Sequence, residues 1–458
     1  NHMIKNIVNT FINCFKIPEL RSRILFTLIV LGICRLVAII PLPGLDSGAL
    51  RQYFDSNAGS GGGLLGMYSM FTGGALERCA VGTLGIMPYI SATIILQLLT
   101  AVVGKLSRLA REEGGRIKII QYGRVLTVLL CLGQGFVMAL AFEHPAKLFS
   151  GFEGSLVLVD NLWWYRIQTA ILLTTGTVML MWLGEQITER GIGNGISLII
   201  TVGILSRIPQ AAQGVKDMFF TSADSQFHMG HMILMIVLLV IVVASVIAIT
   251  QAQRKIPVQY AQRTIGRKSY AGTTSFLPLR VNYAGVMPII FAQALLMFPE
   301  SIFTYLHGAF DVKLFGEIAR QLHAGKLLYL VLYSSMIIFF TYFWVATQFN
   351  ELQISDDLKK HGGYIPGVRP GQVTCDFLHH AMSRLTLAGA IFLTIIAVIP
   401  MMMYGYFGVD FQVASFFGGT SILILVGVVL DTMRQIESHL MMRHYDGFLK
   451  KGRIRGRF

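Results

Sequence analysis

Long uncharged runs alternate with short basic or polar clusters along this 458-residue chain. Residues 79–103, 125–142, 167–184, 281–298, 327–349, 385–409 and 411–430 hold no Asp, Glu, Lys or Arg. Each approaches or exceeds the roughly 20 apolar residues that a helix needs to cross a hydrocarbon core. Residues 232–253 also qualify, and 24–40 do so despite Arg35. Residues 196–205 form the shortest run. Together these predict ten spans, in a chain 54% hydrophobic and 14% charged, with a mean hydropathy of +0.61. An all-α integral membrane protein is the fold class expected.

Charge placement supports that number. With the N-terminus inside, 28 of the 38 Lys and Arg fall in inner segments and nine in outer ones, Arg35 being the other. Deleting the short span inverts everything after it and leaves 16 inside against 21 outside. The positive-inside rule therefore favours ten spans with both termini cytoplasmic. The same bias accounts for the net charge of +14 without a nucleic-acid-binding domain.

Five spans precede the outer connection at 206–231 and five follow it, so the two halves have opposite topology, an inverted repeat. The domains expected are a cytoplasmic segment (1–23), an N-terminal half (24–205), the connection (206–231), a C-terminal half (232–433) with long inner loops at 251–280 and 350–384, and a basic tail (434–458). Asn1-His2 ahead of Met3 reads as a cloning remnant, with no long cleavable signal apparent. Two near-copies of one hexapeptide fall in the second span of each half: Gly85-Ile86-Met87-Pro88-Tyr89-Ile90 and Gly285-Val286-Met287-Pro288-Ile289-Ile290. Gly and Pro loosen or break a helix, and freed backbone groups at membrane depth persist only inside protein or beside water. Paired irregular helices of this kind point to a pathway at the repeat interface.

Catalysis is not indicated. No Asp, Glu or His lies in the middle of an expected span, which disfavours an ion-coupled transporter and an intramembrane protease. Arg35, near the outer end of its span, is expected to snorkel or pair rather than to gate. Cys14, Cys34, Cys79, Cys131 and Cys375 lack metal-ligand spacing and read as small core residues. No metal or cofactor is expected. Gly191-Ile192-Gly193-Asn194-Gly195 resembles part of a dinucleotide fingerprint but has no strand before it, and reads as a flexible lead-in to span five.

Three segments carry more information. Leu64, Leu65, Met67, Tyr68, Met70 and Phe71 form an apolar stretch too short to span, flanked by Gly59–Gly63 and Gly73-Gly74; a movable buried helix suits it better than a surface loop. The loop 251–280 carries Arg254 and Lys255 with Ile256, Val258 and Tyr260 alternating beyond them, as in a strand-like ribbon. Gly and Pro between 362 and 371 make tight turns that hold Arg369 outward, a docking point for an acidic partner.

Residues 71–76, 85–92, 181–195, 366–371 and 417–421, in this order, make the chain resemble the SecY family, the channel subunits of the bacterial protein translocon. The resemblance runs through essentially the whole length. It implies an hourglass pore between two inverted five-helix halves, constricted by Ile86, Ile90, Ile196, Ile200, Ile290 and Ile424, with 64–71 as a plug. Spans two and seven would flank a lateral gate on which Ser91, Gln97 and Gln293 are polar candidates, ordinary interhelical hydrogen bonding being the alternative for each. It further implies that Arg254, Lys255 and Arg369 dock a SecA-type ATPase motor or the ribosome, and that SecE-type and SecG-type small membrane subunits accompany the channel. Secretory and membrane proteins would be the substrates, and the bacterial cytoplasmic membrane the location.

Overall fold

The computed structural model describes residues 17–56, 69, 71–112, 114–145, 152, 154–216, 219, 229–260, 263–265, 268–270, 274–293, 295–296, 303, 313–322, 325–407, 409, 411–418 and 420–451. Chain contacts divide the protein into two compact units, one of residues 1–213 with 424–458 and one of 214–423.

The first unit opens with α1 (Pro18–Val37), whose leading proline occupies a position where the missing N–H costs nothing. Then come α2 (Ser47–Ser56), α3 (Met87–Val102), α4 (Gly104–Arg111), α5 (Gly115–Glu143), α6 (Leu162–Arg190) and α7 (Gly195–Leu205), with most of α8 (Ile208–Lys216) and of α15 (Thr420–Lys451). Paired forks join α5 to α6 near both ends. Arg166 donates to both carboxylate oxygens of Glu143 at 2.9 Å, and Arg124 to both of Glu185 at 3.1 and 2.8 Å. Two apolar clusters fill this unit. One gathers Leu42, Leu50, Leu76, Phe142, Tyr165 and Leu173; the other packs Val30, Leu31 and Cys34 of α1 against Leu180, Leu183 and Ile187 of α6.

The second unit contains α9 (Met229–Gln251), strands β1 (Gln253–Tyr260), β2 (Arg263–Ile265), β3 (Lys268–Tyr270) and β4 (Thr274–Arg280), α10 (Lys313–Gln321), α11 (Leu327–Gln348), α12 (Glu351–Lys360), β5 (Gly363–Tyr364), α13 (Gln372–Phe407) and α14 (Phe411–Gly418). Residues 287–293 are also helical. The expected ribbon is an antiparallel β1–β4 pair, in register from Gln253 opposite Arg280 to Gln259 opposite Thr274, and β5 joins the other side of β1. Buried Ile256 and Val258 key this sheet onto Val345 of α11, Phe349 just beyond it, and Leu378 and Met382 of α13. The chain is thus mostly helical rather than all-α.

Among the described residues, six helices are long and apolar enough to cross a membrane, within residues 117–143, 162–190, 195–216, 230–251, 327–360 and 372–406. A seventh arises if α3 and α4, bent by 103°, count as one span. Three sequence expectations are corrected. Residues 79–86 precede the helix at Met87 instead of belonging to it. The run 411–430 is divided between α14 and α15. The short fifth run does not stop at Leu205: the helical path continues past Arg207 to Lys216, long enough to cross. A buried ion pair, described next, is the physical reason that an arginine is tolerated there.

Candidate functional site

The two hexapeptides adopt one backbone plan. Gly85 (φ +58°) and Gly285 (φ +64°) are left-handed, a conformation that costs glycine little. Helices then begin at Met87 and Met287, placing Pro88 and Pro288 in the first turn, where proline is pre-organised for helix. The first turns close through Ile90 N–H to Ile86 C=O at 3.2 Å and Ile290 N–H to Val286 C=O at 3.4 Å. Gly and Pro start these helices here; they do not break them.

Each expected constriction residue has a definite local place. Ile86 caps α3 and Ile90 follows one turn later, both 3% exposed. Ile196 and Ile200 sit one turn apart at the start of α7, the first half-buried and the second buried. Ile424 is buried in α15, and Ile290 is fully buried in the second unit. Of the stretch 64–71, Ser69 and Phe71 fall among the described residues; Leu64, Leu65, Met67, Tyr68 and Met70 lie outside them, as does Cys14. The other four cysteines are buried free thiols.

The start of α7 is a fixed turn rather than a flexible lead-in. Ile192 N–H donates to Thr27 Oγ1 at 3.1 Å, Gly193 N–H to Gln435 Oε1 at 2.8 Å, and Gly195 N–H to Thr188 Oγ1 at 2.9 Å. Asn194 caps the helix, accepting from Ile196 and Ser197. Gly195 is required by proximity, since a Cβ there would lie 1.9 Å from Gly184 C=O.

Sequence reasoning missed a buried polar network at residues 69–77. Arg207 donates to Glu77 Oε1 at 2.7 Å and to Ser69 C=O at 3.3 Å, and also contacts Ser69 Oγ and Gln210 Oε1. Ser69 Oγ donates to Glu77 at 2.9 Å. Arg35 pairs as expected, its guanidinium donating to Gly73 C=O at 3.2 Å, with Ser206 Oγ at 3.5 Å from the same oxygen. Gly73 and Gly74 both have positive φ, and a Cβ on Gly73 would sit 2.3 Å from Arg35. These glycines allow the turn to pass between two arginines. The signal was a pair of charges, Glu77 and Arg207, at the edges of apolar runs; their meeting is non-local, 130 residues apart.

The polar gate candidates differ among themselves. Ser91 Oγ donates to Met87 C=O at 3.0 Å within its own helix. The side-chain oxygens of Gln97 and Gln293 are buried and have no hydrogen-bond partner among the described residues. Arg254 and Lys255 are exposed on β1. Arg369 is exposed on a turn closed by Val368 N–H to Ile365 C=O at 3.0 Å, and its own carbonyl accepts from Thr374 Oγ1 at 2.9 Å.

A sequence model of the SecY family matches residues 80–433. The protein translocase subunit SecY of Chlamydia trachomatis is 41% identical over 97% of this chain and 98% of its own length. That of Thermotoga maritima is also 41% identical, over 98% and 99%. The chain belongs to the SecY family. Its fold is that of solved members of this class. A structure described as a protein conducting channel aligns with a TM-score of 0.56 at 17% identity, covering 95% of this chain and 94% of that one. Sec61 in the canine ribosome-channel complex aligns with a TM-score of 0.54 at 16% identity, with the same coverage.

Proposed function

We propose that this chain is the channel through which unfolded secretory polypeptides cross a membrane and from which apolar segments leave sideways into lipid. What carries the reading is near-full-length identity to protein translocase subunits, together with twin Gly–Pro helix starts that each end in an isoleucine. Ten spans in two inverted five-helix halves, with both termini cytoplasmic, remain the arrangement that the charge asymmetry favours.

In this reading Ile86, Ile90, Ile196, Ile200, Ile290 and Ile424 form the constriction. A translocating chain has no fixed sequence, so a wall of specific hydrogen bonds would stall it. Branched aliphatic side chains offer no polar partner, yield around a peptide, and when unoccupied favour dewetting that stops ions. The segment 64–71 closes the pore as a plug. Ser91, Gln97 and Gln293 lie on the lateral gate. Nothing in this chain supplies chemical energy in the proposal, so a SecA-type ATPase or the ribosome drives transport. It docks on Arg254, Lys255 and Arg369, whose exposure on a braced sheet and turn suits contact with acidic side chains or RNA phosphates. SecE-type and SecG-type subunits complete the assembly in a bacterial cytoplasmic membrane.

The test is reconstitution. Vesicles holding this chain with SecE-type and SecG-type subunits should protect a secretory precursor from protease once a SecA-type motor and ATP are added. Precursor that stays protease-sensitive, in vesicles shown to contain folded channel, would refute the reading.

A further inference from the structure

We propose that Glu77 and Arg207 form a buried clamp that positions residues 69–86 and thereby sets the resting seal of the pore. The inference rests on the constriction reading above, because residues 69–86 lead into Ile86 and the helix bearing Ile90.

Residues 71–86 are mostly turns, so helical hydrogen bonding does not fix them. Side chains of neighbouring elements do, together with backbone bonds between residues 37–42 and 79–82. Arg35 of α1 holds Gly73 C=O, Thr177 of α6 donates to Gly85 C=O at 3.0 Å, and Arg207, between α7 and α8, holds Ser69 and Glu77. The side chains of Arg207 and Glu77 are 7% and 11% exposed. A buried pair strongly resists losing one partner, since the other is left uncompensated. Glu77 is the buried counter-charge of Arg207, and neutralising it loosens the segment more than removing any single hydrogen bond. Beside the turn that Arg207 and Glu77 hold, Arg35, Phe71, Thr72 and Ile86 line one cavity of about 30 Å³, so a shift of that turn changes the wall behind Ile86.

Single-channel recording in planar bilayers, which counts only inserted channels, separates positioning from mere stability. Glu77→Gln should raise resting ion conductance per channel at least tenfold, and Ser69→Ala, which deletes one hydrogen bond, should raise it less. Arg207→Lys, which keeps the charge opposite Glu77, should leak less than Arg207→Gln. Ile90→Gly is the companion variant. If Ile90→Gly leaks and neither Glu77→Gln nor Ser69→Ala does, the clamp is wrong and the constriction stands. If Glu77→Gln leaks and Ile90→Gly does not, the clamp stands and the constriction assignment of Ile90 falls. Silence from every variant overturns both. Lower unfolding midpoints with unchanged single-channel conductance would make the pair structural only, and overturn the clamp.

Discussion

Gly195 offers a sharp test of how α7 is seated. A Cβ added there would lie 1.9 Å from Gly184 C=O and 2.9 Å from Ile187 Cβ. Ordinary contact begins at 3.4 Å, so α7 and α6 must separate locally by roughly 1.5 Å. Both obstacles belong to α6 itself, one of them a backbone carbonyl, so no side-chain rotation relieves the clash. Overpacking of this kind costs about 1–3 kcal/mol. The Gly195–Thr188 bond at 2.9 Å and the Gly193–Gln435 bond at 2.8 Å lie at the same turn, and losing them adds about 1 kcal/mol each. Gly195→Ala should therefore destabilise by about 3–5 kcal/mol, at least a ~150-fold shift in the folding equilibrium. Denaturant unfolding in detergent, followed by tryptophan emission, reads the shift. Gly133→Ala is the control: it lies within α5 with nothing within 4 Å of an added Cβ, so it should be neutral or stabilise by up to about 1 kcal/mol. Equal midpoints for Gly195→Ala and the parent protein would refute this account of the turn.

Two further outcomes follow from the proposed roles. Replacing Ile196 or Ile290 by Gly should raise resting conductance severalfold, because a smaller side chain no longer closes a dry constriction; bilayer recordings with an unchanged leak would remove those residues from it. Arg369→Glu should reduce motor-driven translocation by at least tenfold while detergent-extracted channel still assembles, since reversing a docking charge adds repulsion to a lost attraction; unaffected precursor uptake would end its docking role.

Much of the architecture was written locally in the sequence. Uncharged runs marked the six long apolar helices among the described residues, and period-two alternation around Ile256 and Val258 marked the ribbon that appears as β1 and β4. Glycine at 367 and 371, both with positive φ, marked the turn carrying Arg369. The rest depends on partners distant in sequence. The fifth run seemed to end at Leu205, two residues before Arg207, and an unpaired guanidinium is costly in lipid; Glu77 removes that cost, and no window around residue 207 contains it. Gly191–Gly195 looked flexible because glycine permits motion, yet Thr27, Thr188 and Gln435 bind its N–H groups. Gly85 and Pro88 suggested a broken helix within 79–103, whereas their order suits a helix start: a left-handed glycine, then proline in the first turn.

The most direct test of the pore itself is to cross-link a stalled secretory nascent chain to cysteines placed singly at Ile90 and Ile290. The account predicts adducts between the nascent chain and both positions, and loss of both when the chain is released. Labelling of both positions by a lipid-borne reagent, with no adduct to the stalled chain at either, would contradict it.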